Sequence, residues 1–312
     1  MTRWCAVSIV VAACALLRPA VAVPAAQPPY TLVDGWAQLS GGLTLGEVPA
    51  LAIDSAERVF AFQRSQPPVV EFDPSGRVVK TWGTGLFVWP HGMRIDRNGF
   101  LWITDGRGHE GKGQQVFKYT RDGQRVMTLG TAGVGGATAS TFDGPTDVAI
   151  APSGDIFVAD GHVNARIVKF TKDGRFVKAW GKKGTAPGEF DVPHTLAFDM
   201  MGRLLVGDRG NKRIQVFDQE GTFLDQWTGF GSPSGMFVTP DDTLYVVDDS
   251  DRRRLFVGSA KDGSVTHEIA DLTLAAGVTV DRRGNIFVSE TAPGKTEGGL
   301  VTGHAVRKLA KH

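Results

Sequence analysis

Two of the seven histidines follow a proline in the same local pattern, VWPHGMRID at 88–96 and FDVPHTLAFD at 190–199. A neutral imidazole is the commonest metal ligand and titrates near neutrality, so a matched pair points to a divalent ion or to proton transfer. His162 in DGHVN and His109-Glu110 in GRGHEGKGQ are further candidates of the same kind. Arg64 in FQRS and Arg209 in GDRGN bring planar, permanently charged forks of the sort that hold a carboxylate. Both cysteines, Cys5 and Cys14, lie in the first 22 residues, so neither a disulfide nor thiolate chemistry is expected beyond them. What the histidines and arginines can do together depends on the elements that carry them.

Those elements repeat. PHGMRIDRNGFLWITD (90–105), PTDVAIAPSGDIFVAD (145–160), PHTLAFDMMGRLLVGD (193–208), PSGMFVTPDDTLYVVD (233–248) and AAGVTVDRRGNIFVSE (275–290) align, and PALAIDSAERVFAFQ (49–63) is a degenerate sixth copy. Each holds two short apolar strands joined by an Asp/Pro and Gly turn, a hairpin signal. Third and fourth strands follow, as in ARIVKF and RFVKAWG. Four antiparallel strands every 40–55 residues make one blade of a β-propeller. No helical periodicity of useful length is present, so the expected fold is an all-β, six-bladed propeller over 23–312. Its last blade has only three strands of its own, and YTLVDGW (30–36) is expected to supply the fourth, hiding an open edge.

In such a blade the start of strand 1 and the turn between strands 2 and 3 share one face. His91 and His194 therefore ring the central channel from blades 2 and 4. Arg64, Asp105, His162 and Arg209 project onto that same face. Alternate blades stand roughly a third of a circle apart, and an ion on the axis would be gripped from blades 2, 4 and 6. The matching position of blade 6 is Ala276, and blades 1, 3 and 5 carry Ala50, Thr146 and Ser234. His162, projecting between the two histidine-bearing blades, or His109-Glu110, on an enlarged turn, would complete the set for zinc or another borderline divalent ion. Asp105, Asp160, Asp208 and Asp248 recur at strand ends and are expected to accept turn amides. Trp36, Trp82, Trp180 and Trp227 recur at the outer strands and are expected to pack between blades.

The spacing and the pattern P-x-G-h-A-h-D…G-x-h-h-V-A-D…N-x-R-I-x-x-F resemble NHL repeats over residues 48–309. The run GPTDVAIAPSGDIFVADGHVNARIVKFTKDGRFVKAWG, with PGEFDVPHTLAFD and GDRGNKRIQVF after it, resembles the peptidyl-α-hydroxyglycine α-amidating lyases. That resemblance implies a zinc held by three histidines, of which His91 and His194 match two and Ala276 stands at the third. It implies a tyrosine beside the metal where this chain has His162, acting here as a third ligand or as the base. It also implies a structural calcium whose acidic ligand is Gly277 here, and active-site arginines at Arg64 and Arg209. The implied reaction cleaves the C–N bond of a carbinolamide to give an amide and glyoxylate.

MTRWCAVSIVVAACALLRPAVA has the form of a secretory signal, with Ala20-Val21-Ala22 as the cleavage site and Cys14 as a competing lipoprotein site. Export to the periplasm or medium is expected, with no membrane association after cleavage. Without Arg3 and Arg18 the chain has 32 basic and 33 acidic residues, which argues against nucleic acid as a partner. A monomer acting on a small or peptidyl substrate with a carboxylate is expected. Two other classes compete: a non-catalytic NHL propeller used for binding or scaffolding, and a calcium-dependent lactonase. The lactonase would need Glu, Asn and Asp where this channel offers His, Thr, Ser and Ala.

Overall fold

A computed structural model describes residues 29–250, 253–270, 272, 275–291 and 305–312. The signal-like segment, with Cys5, Cys14 and the cleavage site, lies outside the described residues. Among the described residues there are 24 strands and no helix, in six four-stranded antiparallel sheets. The innermost strands are β2 (Ala50–Ile53), β6 (Pro90–Ile95), β10 (Pro145–Ile150), β14 (Pro193–Phe198), β18 (Pro233–Val238) and β22 (Ala275–Val280), and β22 packs against β2 to close the ring. In the sixth blade β22 is followed by β23 (Ile286–Glu290) and β24 (Val306–Lys311). The N-terminal β1 (Tyr30–Val33) completes it, with Tyr30 opposite Lys311 and Val33 opposite Lys308. The closing strand is shorter than YTLVDGW, because the chain turns at Gly35 and lays Trp36 between Phe72 and Phe287 instead.

Burial explains the strand sequences. Second strands such as IFVAD and LLVGD are buried at every position, since a neighbouring blade covers each of their faces, and so they read as continuous apolar runs. Outer strands such as VVKTW alternate between half-buried and exposed. The core is accordingly six separate clusters, one at each blade-to-blade interface, for example Phe60, Phe62, Met93 and Leu101 between blades 1 and 2. Trp82 against Tyr119 and Trp180 against Phe217 join outer strands to the next blade, as expected.

The recurrent carboxylates are structural. Asp105 accepts the Val88 and Trp89 amides at 2.9 and 2.6 Å. Asp160 and Asp208 each take one amide, from Asp143 and Asp191, and pair with Arg166 and Arg213 at 2.8 Å. Each ties the loop entering a blade to the end of that blade's second strand. Asp105→Asn puts an NH₂ against one of its two amide donors in a fully buried place. The expected loss is about 1–3 kcal/mol, read as a lower urea midpoint at unchanged slope.

Candidate metal centre

The innermost strands of blades 2 to 6 share one irregularity. Pairing with the second strand is regular from the far end and shifts between Pro90 and Met93, Pro145 and Asp147, Pro193 and Thr195, Pro233 and Gly235, and Ala275 and Val278. A bulge of this kind re-aims a side chain. The residues it re-aims are His91, Thr146, His194, Ser234 and Ala276. Proline tolerates the first position because it starts the strand and owes no ladder hydrogen bond there.

The second ring of site residues comes from the turns after strand 2. The residue following the terminal carboxylate or amide is Arg64, Arg209, Asp249 or Thr291 in blades 1, 4, 5 and 6, and all four line one cavity. In blades 2 and 3 that place is glycine. A Cβ on Gly161 would lie 1.9 Å from the Pro193 carbonyl oxygen, and one on Gly106 would lie 2.7 Å from the Trp89 ring. The chain therefore passes close, and the next residues, Arg107 and His162, stand at that level instead. The cavity has a volume of about 190 Å³ and is also walled by Trp89, His91, His194 and Ala276.

At its floor His91, His162 and His194 offer ligand nitrogens that all lie within 4.8 Å of one another. His91 Nδ1–H donates to the Thr146 carbonyl at 2.7 Å, and His194 Nδ1–H to the Ser234 carbonyl at 2.8 Å. Those bonds fix the tautomer and leave both Nε2 lone pairs aimed inward. His162 Nε2 lies 2.8 Å from His91 Nε2. The closest pair and the widest limit bracket the roughly 3.3 Å between nitrogens on a tetrahedral zinc.

Burial pushes the His91 and His194 pKa values well below the ordinary imidazole range, with His162 and the nearby arginines adding to the effect. Burial, reinforced by the Arg209, Arg64 and Arg107 guanidiniums, lowers His162 to about 4. Three neutral imidazoles on a cavity floor, two of them pre-oriented by backbone carbonyls, fit a borderline divalent ion.

The arginines stand around this floor. Arg64 Nη1 pairs with Glu47 at 2.6 Å, and its guanidinium sits 4.1 Å from the Trp89 ring centroid. Arg209 Nη1 is 3.1 Å from His194 Nε2 and 3.3 Å from Asp249 Oδ2, linking blade 4 to blade 5 as well as lining the cavity. Burial raises the Asp249 carboxyl above the ordinary range. Arg107, exposed at the rim, also lies 4.1 Å from the Trp89 centroid and has no carboxylate partner among the described residues.

His109 and Glu110 do not join the cluster. They are largely exposed and pair with each other at 3.3 Å, because the turn closes on itself through His109 and Lys112. Gly277 has no room for an acid, since a Cβ there would come within 3.0 Å of Ala50 and Leu51 of blade 1. Sequence reasoning missed Asp249, Thr291, Trp89 and Arg107. The first two sit at the same count after strand 2 that picks out Arg64 and Arg209, and Trp89 directly precedes the proline of blade 2.

The NHL repeat model matches residues 142–170 and 190–217. NHL repeat-containing protein 3 of Mus musculus is 34% identical over 286 residues, covering 84% of this chain and 82% of its own length. The probable peptidyl-alpha-hydroxyglycine alpha-amidating lyase pgal-1 of Caenorhabditis elegans is 34% identical over 198 residues, so the match spans about half of each protein, 55% in both cases. Among solved structures the gluconolactonase XC5397 of Xanthomonas campestris superposes with a TM-score of 0.63 over 95% of this chain and 99% of its own, at 18% identity, a likeness of fold alone. The chain belongs to the NHL-repeat family represented by NHL repeat-containing protein 3, and its repeats are homologous to those of the peptidyl-α-hydroxyglycine α-amidating lyases.

Proposed function

We propose that the protein is a zinc-dependent lyase of the amidating type, acting on a small or peptidyl α-hydroxyglycine. The observation that carries the reading is the convergence of three neutral imidazoles on the floor of an arginine-lined cavity. His91, His194 and His162 hold the ion, His162 supplying from blade 3 the imidazole that Ala276 does not. When bound, the ion supplies Lewis-acid polarisation of the substrate hydroxyl.

The chain's own residues do the rest. Arg209 donates to His194 Nε2, and that bond and an ion on the same lone pair exclude each other. With an ion held there, Arg209 would give up His194 and its guanidinium would be available to the substrate carboxylate. Asp249, a partly buried carboxylate on the cavity wall with a raised pKa, takes the hydroxyl proton and returns it to the amide nitrogen. The C–N bond breaks as the carbinol carbon becomes the aldehyde of glyoxylate, and one proton has moved from oxygen to nitrogen with no other reactant consumed.

Arg64 and Arg209 are each offset by an acid, Glu47 and Asp249. The uncompensated charge at the mouth is Arg107, which draws the substrate carboxylate in. Arg107→Ala is expected to raise KM by roughly 2- to 5-fold, the worth of one exposed charge, at unchanged kcat in steady-state assays.

The test is release of glyoxylate and the matching amide from an N-acyl α-hydroxyglycine by zinc-loaded protein. No release under zinc, cobalt or manganese loading overturns the lyase reading. That outcome favours a non-catalytic binding propeller, the reading supported by alanine at position 276 and by a full-length relative whose name states no activity. The proposal includes export, supported by the apolar run before Ala20-Val21-Ala22. Mature protein beginning at Val23 outside the cytoplasm is the expected N-terminal sequencing result.

A further inference from the structure

Below the histidines the central channel narrows to a cavity of about 30 Å³, walled by His91, Arg94, Asp147, His194, Thr195 and Met236 among others, with room for about one water. One side chain crosses it. Arg94, three residues after His91 on β6, reaches three other inner strands with a single guanidinium. Its Nη1 donates to the Met236 carbonyl of β18 at 2.9 Å. Its Nη2 donates to the Leu196 carbonyl and Thr195 Oγ1 of β14 at 3.0 and 3.1 Å. Nε and Nη2 together grip the Asp147 carboxylate of β10, at 3.2 and 2.5 Å.

Asp147 and Thr195 complete the network. Asp147 Oδ2 accepts the Leu196 amide at 2.9 Å and the Thr195 hydroxyl at 3.1 Å, and Thr195 Oγ1 accepts the Met236 amide at 3.1 Å. The Thr195 oxygen thus uses its one donor and accepts two hydrogen bonds, from Arg94 and Met236.

Arg94's partners each lie within two positions of a proposed metal ligand or of a group that orients one. Asp147 follows Thr146, whose carbonyl accepts His91 Nδ1–H and whose hydroxyl donates to the Pro193 carbonyl just before His194. Thr195 follows His194 itself. Met236 is two residues after Ser234, whose carbonyl accepts His194 Nδ1–H. We infer that Arg94 is the positioning residue of the metal centre: an axial pin that sets the relative placement of blades 2, 3, 4 and 5 so that the His91 and His194 nitrogens converge. It also seals the channel beneath them, so that substrate enters only from the face bearing Arg64 and Arg209.

The inference rests on the metal reading above, and the experiment separates the two. Zinc dissociation constants of wild type, Arg94→Met and Arg94→Lys are measured by competition with a chromophoric chelator, beside thermal unfolding of each. Loss of an orienting partner of metal ligands is expected to weaken zinc about 10- to 100-fold. Arg94→Lys keeps a charge for Asp147 and stays folded. A single ammonium lacks the fork that spans Asp147, Leu196 and Met236 at once, so it is expected to show the weakened affinity at near-normal Tm. If Arg94→Met fails to fold, Arg94→Lys alone carries the comparison. Folded Arg94→Lys with zinc affinity within about threefold of wild type overturns the role of Arg94. Wild type that binds no zinc overturns the metal reading itself.

Discussion

His194→Ala is expected to yield a folded propeller that retains less than about a tenth of an equivalent of zinc after desalting and releases no measurable glyoxylate. A catalytic zinc needs three protein ligands and an open position, and this chain has no fourth imidazole near the cluster among the described residues. The loss goes beyond one ligand. Arg209 lies 3.1 Å from the same nitrogen, so the change also removes one of the contacts that hold this guanidinium on the cavity wall. His91→Ala removes zinc in the same way but costs less stability. The Thr146 carbonyl freed by that change still accepts the Thr104 hydroxyl at 3.0 Å, whereas the Ser234 carbonyl freed by His194→Ala is left buried and without that compensation. The difference is worth about 1–3 kcal/mol. Metal analysis and urea titration of the two variants side by side check the order. Equal zinc retention in either variant and wild type would remove that histidine from the centre.

Asp249→Asn is expected to lower kcat by about 10²- to 10⁴-fold, the usual worth of a positioned proton-transfer group, with zinc content intact and KM changed less than about threefold. The shape of the side chain is kept, and the amide oxygen still accepts from Arg209, so the variant isolates proton transfer from packing. Asp249 stands one hydrogen bond from Arg209 Nη1, which in turn contacts a proposed metal ligand. No other carboxylate among the described residues lines this cavity. Steady-state kinetics on zinc-loaded protein give the answer. A rate within a few-fold of wild type assigns the proton to another group.

How much of this was readable from the chain differs element by element. The blade count, the strand order and the closing N-terminal strand follow from period-2 alternation and turn residues, which are local signals. Convergence of His91 and His194 on the channel was also legible, because both sit at the entry to the innermost strand of their blades. Completion of the cluster was not settled. Both His162 and His109-Glu110 sat on turns of the correct face, and only the path of the backbone separates them. Gly161 lets the chain press against Pro193 and set His162 over the floor. The 107–113 turn folds on itself and exposes His109.

Charge compensation was harder to foresee, since Glu47 and Asp249 lie 17 and 40 residues from the arginines they pair with. Arg94 left no sequence signal at all. In the aligned copies its place holds Ala149, Ala197, Phe237 and Thr279, and its meaning comes only from four strands meeting at the axis.

The central claim is that ring closure builds one divalent-ion site from imidazoles 71 and 103 residues away from His91. Metal content of chelator-free mature protein, measured by elemental analysis after zinc loading and desalting, tests it directly. The account predicts about one zinc per chain in wild type, with His91→Ala, His162→Ala and His194→Ala each close to zero. Wild type without zinc, or zinc that persists undiminished in all three variants, contradicts it.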